Sequence, residues 1–220
     1  MTAGLESLRT AYGELLARTD ILDEEAAWRP TGCAGWTARD LVFHLLTDAQ
    51  RALVALATPA DGAADVDAVS YWRAWQPGTP GAQAGRRSIR IMSSVWTSTS
   101  ALTALYGETA RAVLVQAARA DAGALIATQG HVLTVDDLLA TLAVEAAVHH
   151  LDLVAFGDGP GPGAQSLALI RETLDGLLGR PAPTDWDDAR YALIGTGREP
   201  LTDAERAALG SDAVKLPLFG

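Results

Sequence analysis

Apolar and polar positions recur with the period of a helix over most of this chain. Leu5, Leu8, Tyr12, Leu15 and Leu16 give one apolar face to a helix predicted from Leu5 to about Arg18. The stretch GWTARDLVFHLLTDAQRALVAL predicts a second. Thr37 is a good N-cap there, and Asp40, three residues on, places an acid near the positive end of the helix. Leu41, His44, Leu45, Asp48, Leu53 and Leu56 follow at helical intervals. A third helix is expected from Arg86 to about Ala120. A fourth is expected from Thr134 to Phe156, with Thr134 and Asp137 as its cap signal. GDGPGPG ends the fourth, and a fifth helix from Gln165 to Leu178 stops at GRPAP.

A breaker-rich stretch from about Thr58 to Gly85 is long enough to be a functional loop over a site. After Pro181 the character changes. YALIG reads as a short strand, GTGREP as a turn, LTDAERAALG as a short helix capped by Thr202 with Glu205 at its third position, and VKLPLF as a second extended piece. The expected fold is mainly α: an antiparallel four-helix bundle with an extra helix over residues 1–180, and a short α/β C-terminal tail over residues 181–220.

Composition narrows the function classes. The chain has 220 residues, of which 49% are hydrophobic and 20% charged, which fits one sizeable globular domain. A net charge of −10 argues against nucleic acid, which needs clustered Lys and Arg. Cys33 is the only cysteine, so no intrachain disulfide and no Cys-based zinc cluster can form. MTAGLESLRTAYGELL lacks the basic start and long apolar core of a signal peptide, and no run of about 18 apolar residues offers a membrane span. A soluble, cytoplasmic protein is expected, as a monomer or homodimer.

The candidate chemistry centres on VEAAVHHLDL, residues 144–153. Glu145 and His149 are four apart and share a helix face, whereas His150 points elsewhere. A carboxylate and an imidazole aimed into a bundle can supply two ligands to one divalent ion; a solvated ion pair is the commoner use of this spacing. His44, flanked by apolar residues in LVFHLL, is either a core histidine or a third ligand from a neighbouring helix. Two histidines and one carboxylate with a position left open is the pattern of catalytic zinc. Asp48 and Asp152 are candidates for orienting the imidazoles, or exposed caps.

TGCAGWTARDLVFHL, VLTVDDLLATLAVEAAVHHLDL and ALIGTGREPLTDAERAALG together resemble the mycothiol-dependent maleylpyruvate isomerase family, within the DinB-like (YfiT-like) metalloenzymes. The resemblance runs from about residue 25 to residue 210. It implies a DinB-like four-helix bundle holding a divalent metal, zinc first among them, on His44, Glu145 and His149. It also implies a low-molecular-weight thiol, mycothiol or similar, as cosubstrate. Well-described isomerases of the family carry a substantial α/β C-terminal domain after the bundle, where residues 181–220 follow here.

A metal-activated thiolate can add to an activated alkene, permit rotation and leave, or be transferred permanently. An anionic ligand would need cations. Arg73 and Arg90 are candidates for a catalytic role, and Arg86 and Arg87, with Trp72 and Trp75, for substrate binding. Arginines at a helix start oppose its dipole, which an anion would offset. Cys33 reads as buried filler, His131 as exposed, and the GTGR turn as weak evidence for phosphate binding. Two other readings stay open: a metal-dependent hydrolase, and a non-enzymatic binder that keeps the metal as a staple.

Overall fold

The computed structural model describes residues 1–157, 159–183 and 185–220; residue 158, within GDGPGPG, lies outside the described residues. Four helices form the bundle: α1 (Ala3–Thr19), α2 (Ala38–Leu56), α4 (Thr99–Ala117) and α5 (Val135–Val154). α3 (Pro80–Ser93) lies beside α2. Their apolar faces meet in one core that includes Leu8, Leu15, Leu41, Leu46, Leu102 and Leu139. Caps fix the starts. Thr37 and Asp40 form a reciprocal capping box on α2, and the Thr134 hydroxyl accepts from the Asp137 amide on α5.

Helix directions follow from the contacts at their ends. Gly4 at the start of α1 donates to Asp136 at the start of α5, so these two run together. Gly32, ahead of α2, donates to the carbonyl of Asp152 near the end of α5, so α2 and α5 are opposed. Ser93, ahead of α4, meets Asp40 at the start of α2, and Ala60 beyond α2 bonds Leu125 beyond α4, so α2 and α4 share a direction. Parallel neighbours need a long crossover, and residues 57–98 supply it with α3.

The helix expected from Arg86 to Ala120 is therefore two helices, α3 and α4. The break falls at Ser94–Ser98, where Ser98 caps α4 and the Glu24 carboxylate accepts from the Thr99 amide and hydroxyl, each at 2.6 Å. Serine and threonine compete with helix through such caps, so MSSVWTSTS ends one helix and starts the next. Residues ahead of α5 form a hairpin, β1 (Leu125–Thr128) with β2 (His131–Thr134), turning through Gln129 and Gly130 at φ 52° and 85°.

After α6 (Ala164–Leu178) come α7 (Asp188–Gly195) and α8 (Asp203–Leu209). YALIG is helical, not a strand. Asp187 caps α7, and Tyr191, Ala192 and Ile194 bury themselves against Ile170 and Leu174 of α6. A short apolar run carries no periodicity that separates strand from helix. VKLPLF forms no strand either, but its last residues are buried in this second core with Val144 and Val148 of α5. The tail is thereby packed onto the bundle. Among the described residues no helix is long and apolar enough to cross a membrane.

Candidate metal and ligand site

α2 and α5 bring His44, Glu145 and His149 together. Both imidazoles aim Nε2 at the same carboxylate oxygen: His44 Nε2 lies 3.0 Å and His149 Nε2 3.2 Å from Glu145 Oε1. The three donor atoms lie within 4.8 Å of one another. His150 turns away, its Nε2 lying 3.1 Å from the Pro160 carbonyl.

The far side of His149 is held by a buried ion pair. His149 Nδ1 is 2.8 Å from Asp152 Oδ2, and the Asp152 side chain is 0% exposed. Arg198 binds the same carboxylate through two nitrogens, at 3.1 and 2.9 Å. The Cys33 thiol donates to Asp152 Oδ2 at 3.0 Å and sits 3.6 Å from His149 Nδ1. The loop carrying Cys33 reaches α5 because residue 32 is glycine: an added Cβ would overlap Asp152 Oδ1 and lie 3.0 Å from its Cα.

Cys33, His149 and Asp152 also cluster closely enough to hold a cation. The guanidinium of Arg198 already neutralises that carboxylate, however, so a second cation there would face a buried positive charge. The Nε2 side of His149 is different. If Nδ1–H donates to Asp152, the neutral ring presents a lone pair to Glu145 Oε1 at 3.2 Å. Lone pair against carboxylate is favourable only with a proton or a metal cation between them. The donor set of two imidazoles and a carboxylate suits zinc or a similar divalent ion.

With no metal bound, electrostatics favour the proton between His149 and Glu145. Burial opposes ionisation of Asp152, but Arg198 and His149 outweigh it and hold the carboxyl well below its usual range. Burial also opposes ionisation of Glu145, and the two imidazoles reverse that effect. Burial depresses His44. It would depress His149 too, but the Glu145 charge and the bond to Asp152 raise it. Burial pushes the Cys33 thiol up, which keeps its proton on. Asp48, one turn beyond His44, is raised to about 7 by burial and by the nearby Glu145 charge. It makes no hydrogen bond to either imidazole among the described residues, whereas Asp152 bonds His149 Nδ1.

These groups open into a cavity of about 840 Å³, large enough for two small molecules or one of drug size. Its aromatic wall is made by Tyr71, Trp72 and Trp75, from the turn over Ser70–Ala74 and the residue after it, together with Phe219 from the tail. Phe219 stacks 4.4 Å from Trp72, Gln76 donates to the Leu218 carbonyl at 3.0 Å, and Gln129 donates to the Tyr71 hydroxyl at 2.6 Å. Trp36 lies 5.2 Å from His44, and its indole N–H donates to the Arg86 carbonyl at 3.1 Å.

Of the arginines singled out in the sequence, Arg86 lines the cavity, and Arg73, Arg87 and Arg90 do not. Arg73 projects to solvent from the turn. On α3 the cavity is lined by Ala82, Gly85, Arg86, Ile89 and Met92 among others; Arg87 is turned about 100° from Arg86, and Arg90, though about 40° from Arg86 around the axis, does not line the cavity. Trp96 packs against the bundle core, and His131 pairs with Asp65 at 3.0 Å outside the cavity. Sequence reasoning missed Arg198 and Arg51 as cavity residues. Arg51 had a signal, being seven residues after His44 on the same helix face.

A four-helix bundle with an imidazole–carboxylate cluster in the wall of a large cavity defines a class of helical proteins with a candidate metal and ligand site. Within that class the chain belongs to the family described as mycothiol maleylpyruvate isomerase N-terminal domain, which matches residues 8–154. Two solved structures share its fold. One is the crystal structure of the mycothiol-dependent maleylpyruvate isomerase, with 17% identity and a TM-score of 0.53. The other is a histidine-to-alanine mutant of the mycothiol-dependent maleylpyruvate isomerase, with 17% identity and a TM-score of 0.55. Each match covers 78% of this chain and 68% of the other. A comparison with curated proteins finds no match.

Proposed function

We propose that this chain is a divalent-metal-dependent enzyme that activates a low-molecular-weight thiol of the mycothiol type. The thiol serves to isomerise, or to be transferred to, a small electrophile such as a maleylpyruvate-like compound. The observation that carries this reading is the convergence of His44 Nε2, Glu145 Oε1 and His149 Nε2 within 4.8 Å at the wall of the cavity. His44, Glu145 and His149 would hold the ion, zinc by preference. When bound, it would lower the pKa of a thiol beside it, so that thiolate is available at neutral pH.

The protein's own groups do the rest. Asp152, fixed by Arg198, holds His149 in the tautomer that directs Nε2 at the site. Cys33, the chain's only thiol, stays protonated and bonded to Asp152, which supports an external thiol as nucleophile. The aromatic wall excludes water around the electrophile. Family membership and the shared fold support the same chemistry.

The test is turnover of maleylpyruvate by the zinc-loaded protein with and without mycothiol. Isomerisation leaves the thiol concentration unchanged, and S-transfer consumes it one for one. Turnover that persists without thiol would sink the thiol reading in favour of hydrolysis. Absence of turnover, together with a loss of stability on chelation, would leave a structural metal.

A further inference from the structure

Arg51 and Arg86 both line the cavity, from α2 and α3 respectively. Neither guanidinium makes a hydrogen bond or ion pair among the described residues, although the Arg51 charge acts on the Asp48 carboxyl three residues before it. Exposed arginines such as Arg87 and Arg90 are unpaired too, and what sets Arg51 and Arg86 apart is their place on the cavity wall. Arg51 stands seven residues beyond His44, so the two project within about 20° of each other and about 10 Å apart along the axis. Helical side chains lean toward the N-terminus, so Arg51 leans toward His44. Arg86 is tied to the same region through its carbonyl, which accepts from Trp36, the ring 5.2 Å from His44. Arg198, the other cation at the cavity, is committed to Asp152.

We propose that Arg51 and Arg86 form the anion-recognising face of the cavity and select an electrophile that carries a carboxylate beside its reacting carbons. A planar guanidinium suits a carboxylate geometrically, and two of them from separate helices orient it. The assignment of this anion to the electrophile rests on the proposed thiol chemistry; the existence of the anion face does not.

Maleate, a small dianion, is the probe. It is titrated into the zinc-loaded protein and followed by tryptophan fluorescence, with neutral dimethyl maleate as control. Arg51→Gln and Arg86→Gln should each weaken maleate binding at least 10-fold and leave dimethyl maleate unchanged. Arg51→Lys should recover part of the loss, and Arg87→Gln should bind as the unsubstituted protein does. Circular dichroism should be unaltered, because neither guanidinium supports the fold. Unchanged maleate affinity in both glutamine variants overturns the proposal, and so does an equal loss in Arg87→Gln.

With turnover, the KM for the electrophile should rise in both variants while kcat and the KM for thiol hold. A rise in the thiol KM alone would overturn the assignment to the electrophile. Absence of turnover in the unsubstituted protein counts against the thiol reading only, and the maleate titration still decides the anion face.

Discussion

Asp152 and Arg198 meet as a two-toothed ion pair, at 3.1 and 2.9 Å, across the seam between α5 and the tail that follows α7. The aspartate side chain is fully enclosed, the arginine nearly so, and the same carboxylate also holds His149 and Cys33. The pair thus joins the packing of the tail to the orientation of an imidazole in the site.

Removing one partner leaves a buried charge unpaired. Arg198→Met is expected to destabilise the protein by about 3–5 kcal/mol, read from urea denaturation. The carboxyl of Asp152 is depressed in the folded state. Its contribution is therefore complete above the unfolded carboxylate pKa of about 3.9 and fades as pH falls through the folded value. A pair that matters should show stability declining with acid in the unsubstituted protein, and a shallower decline in Arg198→Met. Equal slopes would mean that the pair contributes nothing.

Metal content separates the histidines. His44→Ala and Glu145→Gln should lose most of their zinc after dialysis, measured by elemental analysis. His150→Ala should keep it, since its ring faces the Pro160 carbonyl. Asp152→Asn should retain the ligands and weaken affinity about 10–100-fold. Equal zinc in all four variants would remove the proposed ligand set.

Much of this was legible in the sequence, and what was not has physical causes. The shared face of Glu145 and His149, the caps at Thr37, Thr134 and Thr202, and the ends of the first, fifth and sixth helices follow from local rules that a linear reading can apply. Arg198 was invisible because its partner lies 46 residues away and only the packing of the tail brings them together. Cys33 read as filler because its loop gives no sign of reaching α5; that approach depends on the missing Cβ of Gly32. The sequence reads as one continuous third helix because apolar residues span the serine-rich break, Ser98 has no acid three residues on to mark it as a cap, and the Glu24 carboxylate that completes the break comes from 75 residues away.

Gly32→Ala tests that close approach. The added methyl overlaps the Asp152 carboxylate, so the loop or the ion pair must shift. Overpacking of this kind costs about 1–3 kcal/mol. Because Cys33 and Trp36 follow in the same loop, zinc affinity should fall along with stability. A variant of unchanged stability would show that the loop yields freely.

Asp48 supplies a pH dependence of the opposite sign. Its carboxyl is raised to about 7, so the folded metal-free protein binds a proton that the unfolded chain releases near pH 4. Folding stability from this group is full below the unfolded value and is lost as pH climbs toward 7. Asp48→Asn should therefore stabilise the metal-free protein at pH 8, by on the order of 1 kcal/mol because the half-buried carboxyl is partly screened at the cavity wall, and do little at pH 4. Thermal melts at the two pH values decide it, and equal effects at both would rule out the buried charge as the cause.

Cys33 gives the sharpest separation between an internal and an external nucleophile. Its half-buried thiol lines the cavity but is bonded to Asp152 on the Nδ1 side of His149, not at the Nε2 atoms that would hold a metal, and desolvation keeps it protonated. Removing it takes away a weak donor to a carboxylate that still has Arg198 and His149. Cys33→Ala is therefore expected to retain at least about one third of the thiol-dependent rate and to lose about 1 kcal/mol of stability. Cys33→Ser, which keeps a donor at the same place, should recover the stability. A fall in rate of 100-fold or more in Cys33→Ala, with zinc content intact and no rescue by added thiol, would make Cys33 itself the nucleophile.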